Sequence, residues 1–479
     1  MSAVKIPRCM STQHPDNVNS PFFAESSELG GEDEIQEAFY VFSHLGCDEQ
    51  MWDCEGKEVD NYVVKKLLTR YEQFFRTNRL GRDKFITLRV PNPAIERAEA
   101  KILLETLESI PRSFDTAKLF YKDDNPPIFE VILPMTTSAM DIEKIYKYYT
   151  EFVAGKQDKN ICDTALSEWI GEFKPKGINV IPLFEDMAHM IKADGITGEY
   201  LRGKDIQHQR VFLARSDPAM NYGMVSAVLL NKIALQRLHK MSEETGVAIY
   251  PIIGVGSAPF RGNLKPGTAE RVAGEYPSVH TFTLQSAFKY DNPHGKVVSA
   301  VKKLSKRKTG KPHEVDEEKC MEIIRKCTTE YTRQIAELAP LINKIAKYVP
   351  SRRKRKMHIG LFGYSRNVEG ITLPRAITFT AALYSLGLPP EILGLSALNK
   401  DDVKFIKDVF VHFEDDLNDA LRYLNPCNTG FLPDGIEGSV QIDEEHRDIT
   451  GSIKRAKEHG KNSIEELVLR AAHLRGFLG

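Results

Sequence analysis

Short apolar runs recur along the chain, and most are followed by a segment in which apolar residues return at helical spacing. The first run, Val4 to Met10, precedes Glu34 to Leu45, where Ile35, Phe39 and Phe42 share one helical face. A weaker run, Gln50 to Asp53, leads into the amphipathic VVKKLLTRYEQFF that begins at Val63. Lys84 to Val90 (KFITLRV) is the third, and Asn92-Pro93 after it predicts an N-cap and first-turn proline for a helix through Leu107. Ile128 to Leu133 and Ile178 to Phe184 (INVIPLF) are the fourth and fifth. Arg210 to Ala214 leads into a long helix over Met224 to Lys240, and Val247 to Val255 and Thr281 to Leu284 complete the series.

Eight short strands alternating with helices predict a (β/α)8 TIM barrel, lengthened by inserted helices. A doubly wound open sheet obeys the same alternation and is the competing architecture. Beyond the last strand the pattern changes. Lys302 to Lys311 (KKLSKRKTGK) is basic and hydrophilic, and Glu314 to Ala346 reads as one or two helices. Helical patterns follow around Pro374 to Leu386, Asp401 to Leu424 and Ser463 to Phe477, with no further clear strand. The expected organisation is a catalytic barrel over 1–310 and a mainly helical region over 311–479 that packs on the barrel and completes the site.

Composition narrows the function classes. A chain of 479 residues exceeds one ordinary core, which suits a large barrel with additions. Lys+Arg 65 against Asp+Glu 66 gives no global attraction to nucleic acid, so any anion binding is local. The cysteines at 9, 47, 54, 162, 320, 327 and 427 never form a C-x-x-C pair, which predicts reduced thiols and a cytoplasmic setting. The start, MSAVKIPRC, lacks the apolar stretch of a secretory signal, and no run of 18 apolar residues predicts a membrane span.

Barrel enzymes carry their chemistry at the carboxyl ends of the strands, and these positions are polar here. The first strand delivers His14 within MSTQHPDN, Met10 to Asn17. The third carries Arg89, the fifth runs into Glu185 and Asp186, and the sixth into Arg215, Ser216 and Asp217. The seventh opens into the glycine-rich GVGSAPFRGN, Gly254 to Asn263, with one arginine at Arg261, and the eighth reaches Gln285 and Lys289. Glu185 and Asp217, from adjacent strands, can hold a hard dication through oxygen, a donor set that suits Mg²⁺ or Mn²⁺ better than zinc. The competing reading pairs each carboxylate with a neighbouring arginine. The glycine loop offers backbone N–H groups to an anion, with Arg261 as a bidentate partner, and a plain structural turn is the alternative. Ser365-Arg366-Asn367, inside GLFGYSRNVEG, is a second glycine-framed arginine. His14 is either a cap satisfied by Asp16 or, on a rim shared with a cation site, a base for an anionic intermediate.

Together these motifs resemble the phosphoenolpyruvate carboxylase family, and the compact length with MSTQHPDN is similar to its archaeal-type branch, over essentially the whole chain. The TAHPT motif of the longer members is similar to the segment around His14-Pro15. Their PLFE string is Pro182 to Glu185, and their YSDS is matched by Arg215 to Pro218. LDIR resembles Thr87 to Arg89, GSRP resembles Tyr364 to Arg366, and LRAIPW resembles Leu373 to Thr378. Three family cations are missing, at Val255, Met220 and Ala287, which shifts anionic load towards Lys289.

The resemblance implies conversion of phosphoenolpyruvate and bicarbonate to oxaloacetate and phosphate with Mg²⁺ or Mn²⁺, in a homotetramer. It implies carboxyphosphate and a metal-stabilised enolate as intermediates, with His14 as the base that acts on carboxyphosphate. By the same correspondence His14, Arg261 and Arg366 are catalytic, Arg89, Gly254, Gly256 and Lys289 bind substrate, and Glu185 and Asp217 bind metal. A different divalent-metal pyruvate or phosphoenolpyruvate barrel, a lyase or aldolase, shares the acid pair but needs no bicarbonate. A third reading takes Lys302 to Lys311 and Ser351 to Lys356 (SRRKRK) as RNA contacts. Neither run has interleaved aromatics, so solvated charge or a subunit contact is the simpler account. The expected partners are therefore small-molecule substrates and copies of the chain, without nucleic acid or membrane.

Overall fold

Strands buried on both faces read as nearly continuous apolar runs, and the runs found in the sequence form a closed ring of eight parallel strands. The structure, a computed structural model, describes residues 5–55, 60–95, 97, 100–354, 366–368, 371–428, 441–455 and 461–479. The side chains of 366–368, 371, 455 and 461–463 lie outside that description. The strands are β1 (Cys9–Ser11), β2 (Glu49–Asp53), β3 (Phe85–Arg89), β4 (Glu130–Leu133), β5 (Asn179–Phe184), β6 (His208–Ala214), β7 (Ala248–Gly254) and β8 (Thr281–Leu284). Each pairs in parallel with its sequence neighbours, and β1 closes on β8 through Cys9–Phe282, Met10–Thr283 and Ser11–Leu284. The open sheet is thereby excluded.

Because side chains alternate along a strand, each inward-facing row meets the barrel interior in layers. At the amino-terminal end lies a charged layer contributed by alternate strands. Arg210 of β6 reaches Glu49 of β2 at 2.7 Å, Glu130 of β4 at 2.8 Å and the Thr281 hydroxyl of β8 at 3.3 Å. β2 and β6 stand opposite one another in the ring, so this ion pair spans the interior. Above it comes an apolar layer of Met10, Met51, Ile132, Ile181, Leu183, Phe212, Ala214 and Ile252. The carboxyl-terminal ends then open into polar loops.

The region after the barrel is helical. Glu317–Ala346 packs along Met224–Thr245, and the hydroxyl of its buried Tyr331 donates to the Met220 carbonyl at 2.7 Å. Ile323, Ile324 and Leu338 share one apolar core with Val228, Ile233 and Leu235 of the barrel helix. Ala376–Ser385, Lys400–Val409, Phe413–Leu421, Glu444–Arg455 and Lys461–Arg475 follow.

Four local expectations are corrected. The helix expected over Asp401 to Leu424 is broken at Phe410, whose ψ of 85° leaves the helical region. The helix expected from Val63 is broken at Tyr71. A two-stranded hairpin, Arg366–Val368 with Ile371–Leu373, stands where no strand was expected. The helix expected from Asn92 begins at Ile102 instead. Asn92 holds a turn, accepting from Ala94 N–H at 3.0 Å and donating to the carbonyls of Pro134 and Met135. Among the described residues, no single helix is long and apolar enough to cross a membrane.

Candidate active site

The loops after the strands surround a cavity of about 550 Å³, roofed by Ala346, Val349 to Arg353, Arg375 to Thr378 and Leu478. Its acidic wall comes from β5 and β6. Glu185 directly follows β5, is 5% exposed, and accepts the Met135 N–H at 2.7 Å through Oε2. Met135 adopts φ 51°, a left-handed conformation uncommon for a residue with a side chain. Asn92, by binding the carbonyls of Pro134 and Met135, holds the turn that aims this N–H. Asp217 lies half-buried in the first turn of Ser216–Tyr222, from where its charge favours that of the buried Arg261. Both carboxylates face the same cavity as Arg261, not separate sides of the molecule.

Among the described residues, no cluster of three or more histidine, cysteine or acidic side chains is arranged to hold a metal by protein donors alone. Two carboxylates on an open cavity nevertheless fit a hard dication, since substrate oxygens and water complete its coordination. That is the chemistry the donor set allows.

His14 lines the opposite side, after β1. Its Nδ1 lies 2.9 Å from the Thr12 hydroxyl, so Asp16 is not its cap. Asp16 is instead buried and staples the loop. Its carboxylate accepts from Ala287 N–H at 2.7 Å and Ser257 N–H at 3.2 Å and lies 3.5 Å from Arg261. The His14 carbonyl accepts from Ser286 N–H at 3.1 Å, which fixes the backbone as well. Asp291 pins the next residues by accepting the N–H groups of Val18 and Asn19 at 2.7 and 2.8 Å.

The glycine loop follows β7. Gly254 lines the cavity, whereas Gly256 does not and serves packing. A Cβ there would lie 2.9 Å from the Arg261 guanidinium carbon, so only glycine lets that side chain lie across the loop. Arg261 is 2% exposed and lines the cavity with its terminal nitrogens already engaged. It donates to the Gly479 carbonyl and to Gln285 Oε1, each at 2.6 Å. The preceding residue is held from the helical region, because Glu391 accepts both Phe260 N–H at 2.5 Å and the Tyr384 hydroxyl at 2.6 Å. Burial pushes the Glu391 carboxyl up to about 7.

The other cations divide. Arg89 reaches the cavity but is held by Asp53 at 3.2 Å and Glu55 at 2.7 Å. Lys289 is not in the wall. It is buried beneath the His14 loop, where its ammonium donates to the Ser11 hydroxyl, the Thr12 carbonyl and Glu37 at 2.9–3.0 Å. The substrate-binding expectation for Lys289 is therefore corrected, because all three of its donors serve the fold. Burial works against the charge of Glu37, yet Arg353 and Lys289 hold its carboxyl well below the ordinary range. Arg366 lies on the hairpin strand, and its side chain is outside the described residues. Met220 lies buried in the wall, and Ala287 is buried beneath Asp16, so neither place carries a cation.

Sequence reasoning missed Asp53, Glu55, Arg352 and Arg353. The run Ser351 to Lys356 reads as solvated charge, a subunit contact or an RNA patch, but Arg352 and Arg353 are buried in the cavity roof. Arg353 binds Glu34 at 2.7 Å and Glu37 at 2.9 Å. The spacing of Glu34 and Glu37, three apart on one helical face, is the only local signal that a buried cation is required there.

A family model described as phosphoenolpyruvate carboxylase matches residues 6–479. The phosphoenolpyruvate carboxylase of Methanothermobacter thermautotrophicus is 60% identical over 484 aligned positions, covering 99% of this chain and 100% of that relative. That of Methanospirillum hungatei is 58% identical over 485 positions, with the same coverage. That of Pyrococcus furiosus is 53% identical over 480, again covering 99% and 100%.

Proposed function

The chain belongs to the phosphoenolpyruvate carboxylase family, and from that premise we propose how its side chains join phosphoenolpyruvate to bicarbonate. The difficulty is electrostatic, since one anion must attack another. The observation that carries this reading is the division of one cavity into an acidic wall at Glu185 and Asp217 and an opposite wall at His14. Guanidinium groups at Arg89, Arg261, Arg352, Arg353 and Arg375 line the space between and above them. A divalent cation, Mg²⁺ or Mn²⁺, held by Glu185 and Asp217 would offset negative charge on the enol oxygen as its bond to phosphorus breaks.

A bicarbonate oxygen attacks phosphorus, the bond between phosphorus and the enol oxygen breaks, and carboxyphosphate and the enolate of pyruvate result. In the tautomer that carries its proton on Nδ1, His14 donates to the Thr12 hydroxyl 2.9 Å away, and Nε2 is then the basic nitrogen. Nε2 takes the carboxyl proton of carboxyphosphate, whose C–O bond to phosphate breaks to release CO2. The proton returns to the departing phosphate, and the enolate carbon bonds CO2 to give oxaloacetate. The Asp16 staple keeps His14 aimed while charge moves.

The same reading takes the chain to be cytoplasmic and homotetrameric. Seven cysteines without a disulfide support a reducing setting. Oxaloacetate formation from phosphoenolpyruvate is the test. It should require bicarbonate, cease on chelation and return when Mg²⁺ or Mn²⁺ is restored. Phosphate release that ignores bicarbonate would overturn the reading.

A further inference from the structure

Arg89, Arg261 and Arg353 reach the cavity with their charge already met by protein oxygens. Arg352 is different. It is 8% exposed and lines the cavity, and among the described residues its guanidinium makes no hydrogen bond and no ion pair. Its nearest acids act only through space, and Asp291 is occupied by the N–H groups of Val18 and Asn19. The Nε of Arg352 is buried without a hydrogen-bond partner, which is costly because that N–H has given up water and received nothing in return.

The backbone around it leaves little freedom to escape. Leu29 N–H donates to the Arg352 carbonyl at 3.1 Å, Lys354 N–H donates to the Leu29 carbonyl at 2.8 Å, and Arg353 is locked onto Glu34 and Glu37. The backbone that carries Arg352 is thus fixed before any ligand arrives, which limits where its fork can reach a planar oxyanion. The location is also informative. Asp291, whose field acts on Arg352, holds the loop that carries His14. That loop follows β1, which faces β5 across the ring.

We propose that Arg352 is a substrate-binding residue, and that its guanidinium holds the small oxyanion on which His14 acts, the carboxylate carried in by bicarbonate. This rests on the functional reading above. The test uses the full chain with Arg352→Gln and Arg352→Lys, measuring oxaloacetate formation against each substrate and thermal midpoints with and without bicarbonate. With Arg352→Gln, the KM for bicarbonate should rise at least about tenfold, the loss of a charged hydrogen bond, with part recovered by lysine. The ligand-free midpoint should equal or exceed that of the wild type, while stabilisation by bicarbonate is lost. A rise in the KM for phosphoenolpyruvate alone overturns the assignment, since the contact would then belong to the other substrate. Unchanged KM values for both, or failure of Arg352→Gln to fold, overturn the inference, since a side chain held without a partner is not what the fold depends on. A wild-type chain that makes no oxaloacetate would instead overturn the functional reading.

Discussion

The two ends of the barrel both bury charge, but they treat it in opposite ways. At the amino-terminal end, Arg210 is closed in by Glu49, Glu130 and Thr281, with no exposed side-chain surface on Arg210 or Glu49. At the carboxyl-terminal end, Glu185, Asp217, His14 and Arg352 all open onto a cavity. Between them lies an apolar layer that separates the two fields. Buried charge therefore does not by itself mark function. What marks it is charge held facing empty volume.

The largest effect should come from the closed end. Arg210→Met strands two carboxylates in the interior and should cost about 3–5 kcal/mol in chemical denaturation, shrinking as pH falls and the carboxylates protonate. The KM values of the protein that remains folded should not change. At the open end, Asp217→Asn should lower kcat/KM by about 100- to 1000-fold and raise the metal concentration needed for activity. Its unfolding midpoint should stay near the wild type, the reverse of the Arg210 variant.

His14→Asn should lower oxaloacetate formation by about 100-fold while sparing phosphate release from phosphoenolpyruvate to a greater degree. Equal loss of both would deny His14 its role after phosphoryl transfer. The smallest effect concerns Glu391, which ties the helical region to the glycine loop. Its folded-state value of about 7 lies above the unfolded value of 4.5, so the folded chain binds the extra proton. The stabilisation is complete below the unfolded value and lost as pH rises through about 7. Glu391→Gln keeps both hydrogen bonds without titrating, and should flatten the fall in stability between pH 5 and 8 by on the order of 1 kcal/mol.

The barrel was legible because each strand is a short apolar run with its own turn signals, and seven of the eight lie within two residues of expectation at either end. That His14, Glu185, Asp217 and Arg261 line one cavity was legible because strand ends are where such a fold displays its polar groups. The misses share a cause. Lys289 sits at a strand end too, but Glu37, 252 positions away, claims it. Asn92 looks like a helix cap because its neighbours are local, while its partners at Pro134 and Met135 are 42 and 43 positions off. Ser351 to Lys356 looks solvated because the acids that bury Arg353 belong to the first helix. Periodicity reports which face is apolar, and says nothing about which distant charge will arrive.

The link from Arg353 to Glu34 joins residues 319 positions apart. During synthesis the barrel emerges long before this arginine does, leaving Glu34 and Glu37 facing each other on one helix without their main counter-ion. Contacts of such separation form late, after the loop between them has been closed at an entropic cost. The loop bearing His14 rests on Lys289, which rests on Glu37, and Arg353 from the helical region binds that same carboxylate. Docking of the helical region thereby gives a second counter-ion to the carboxylate on which the support of the His14 loop depends.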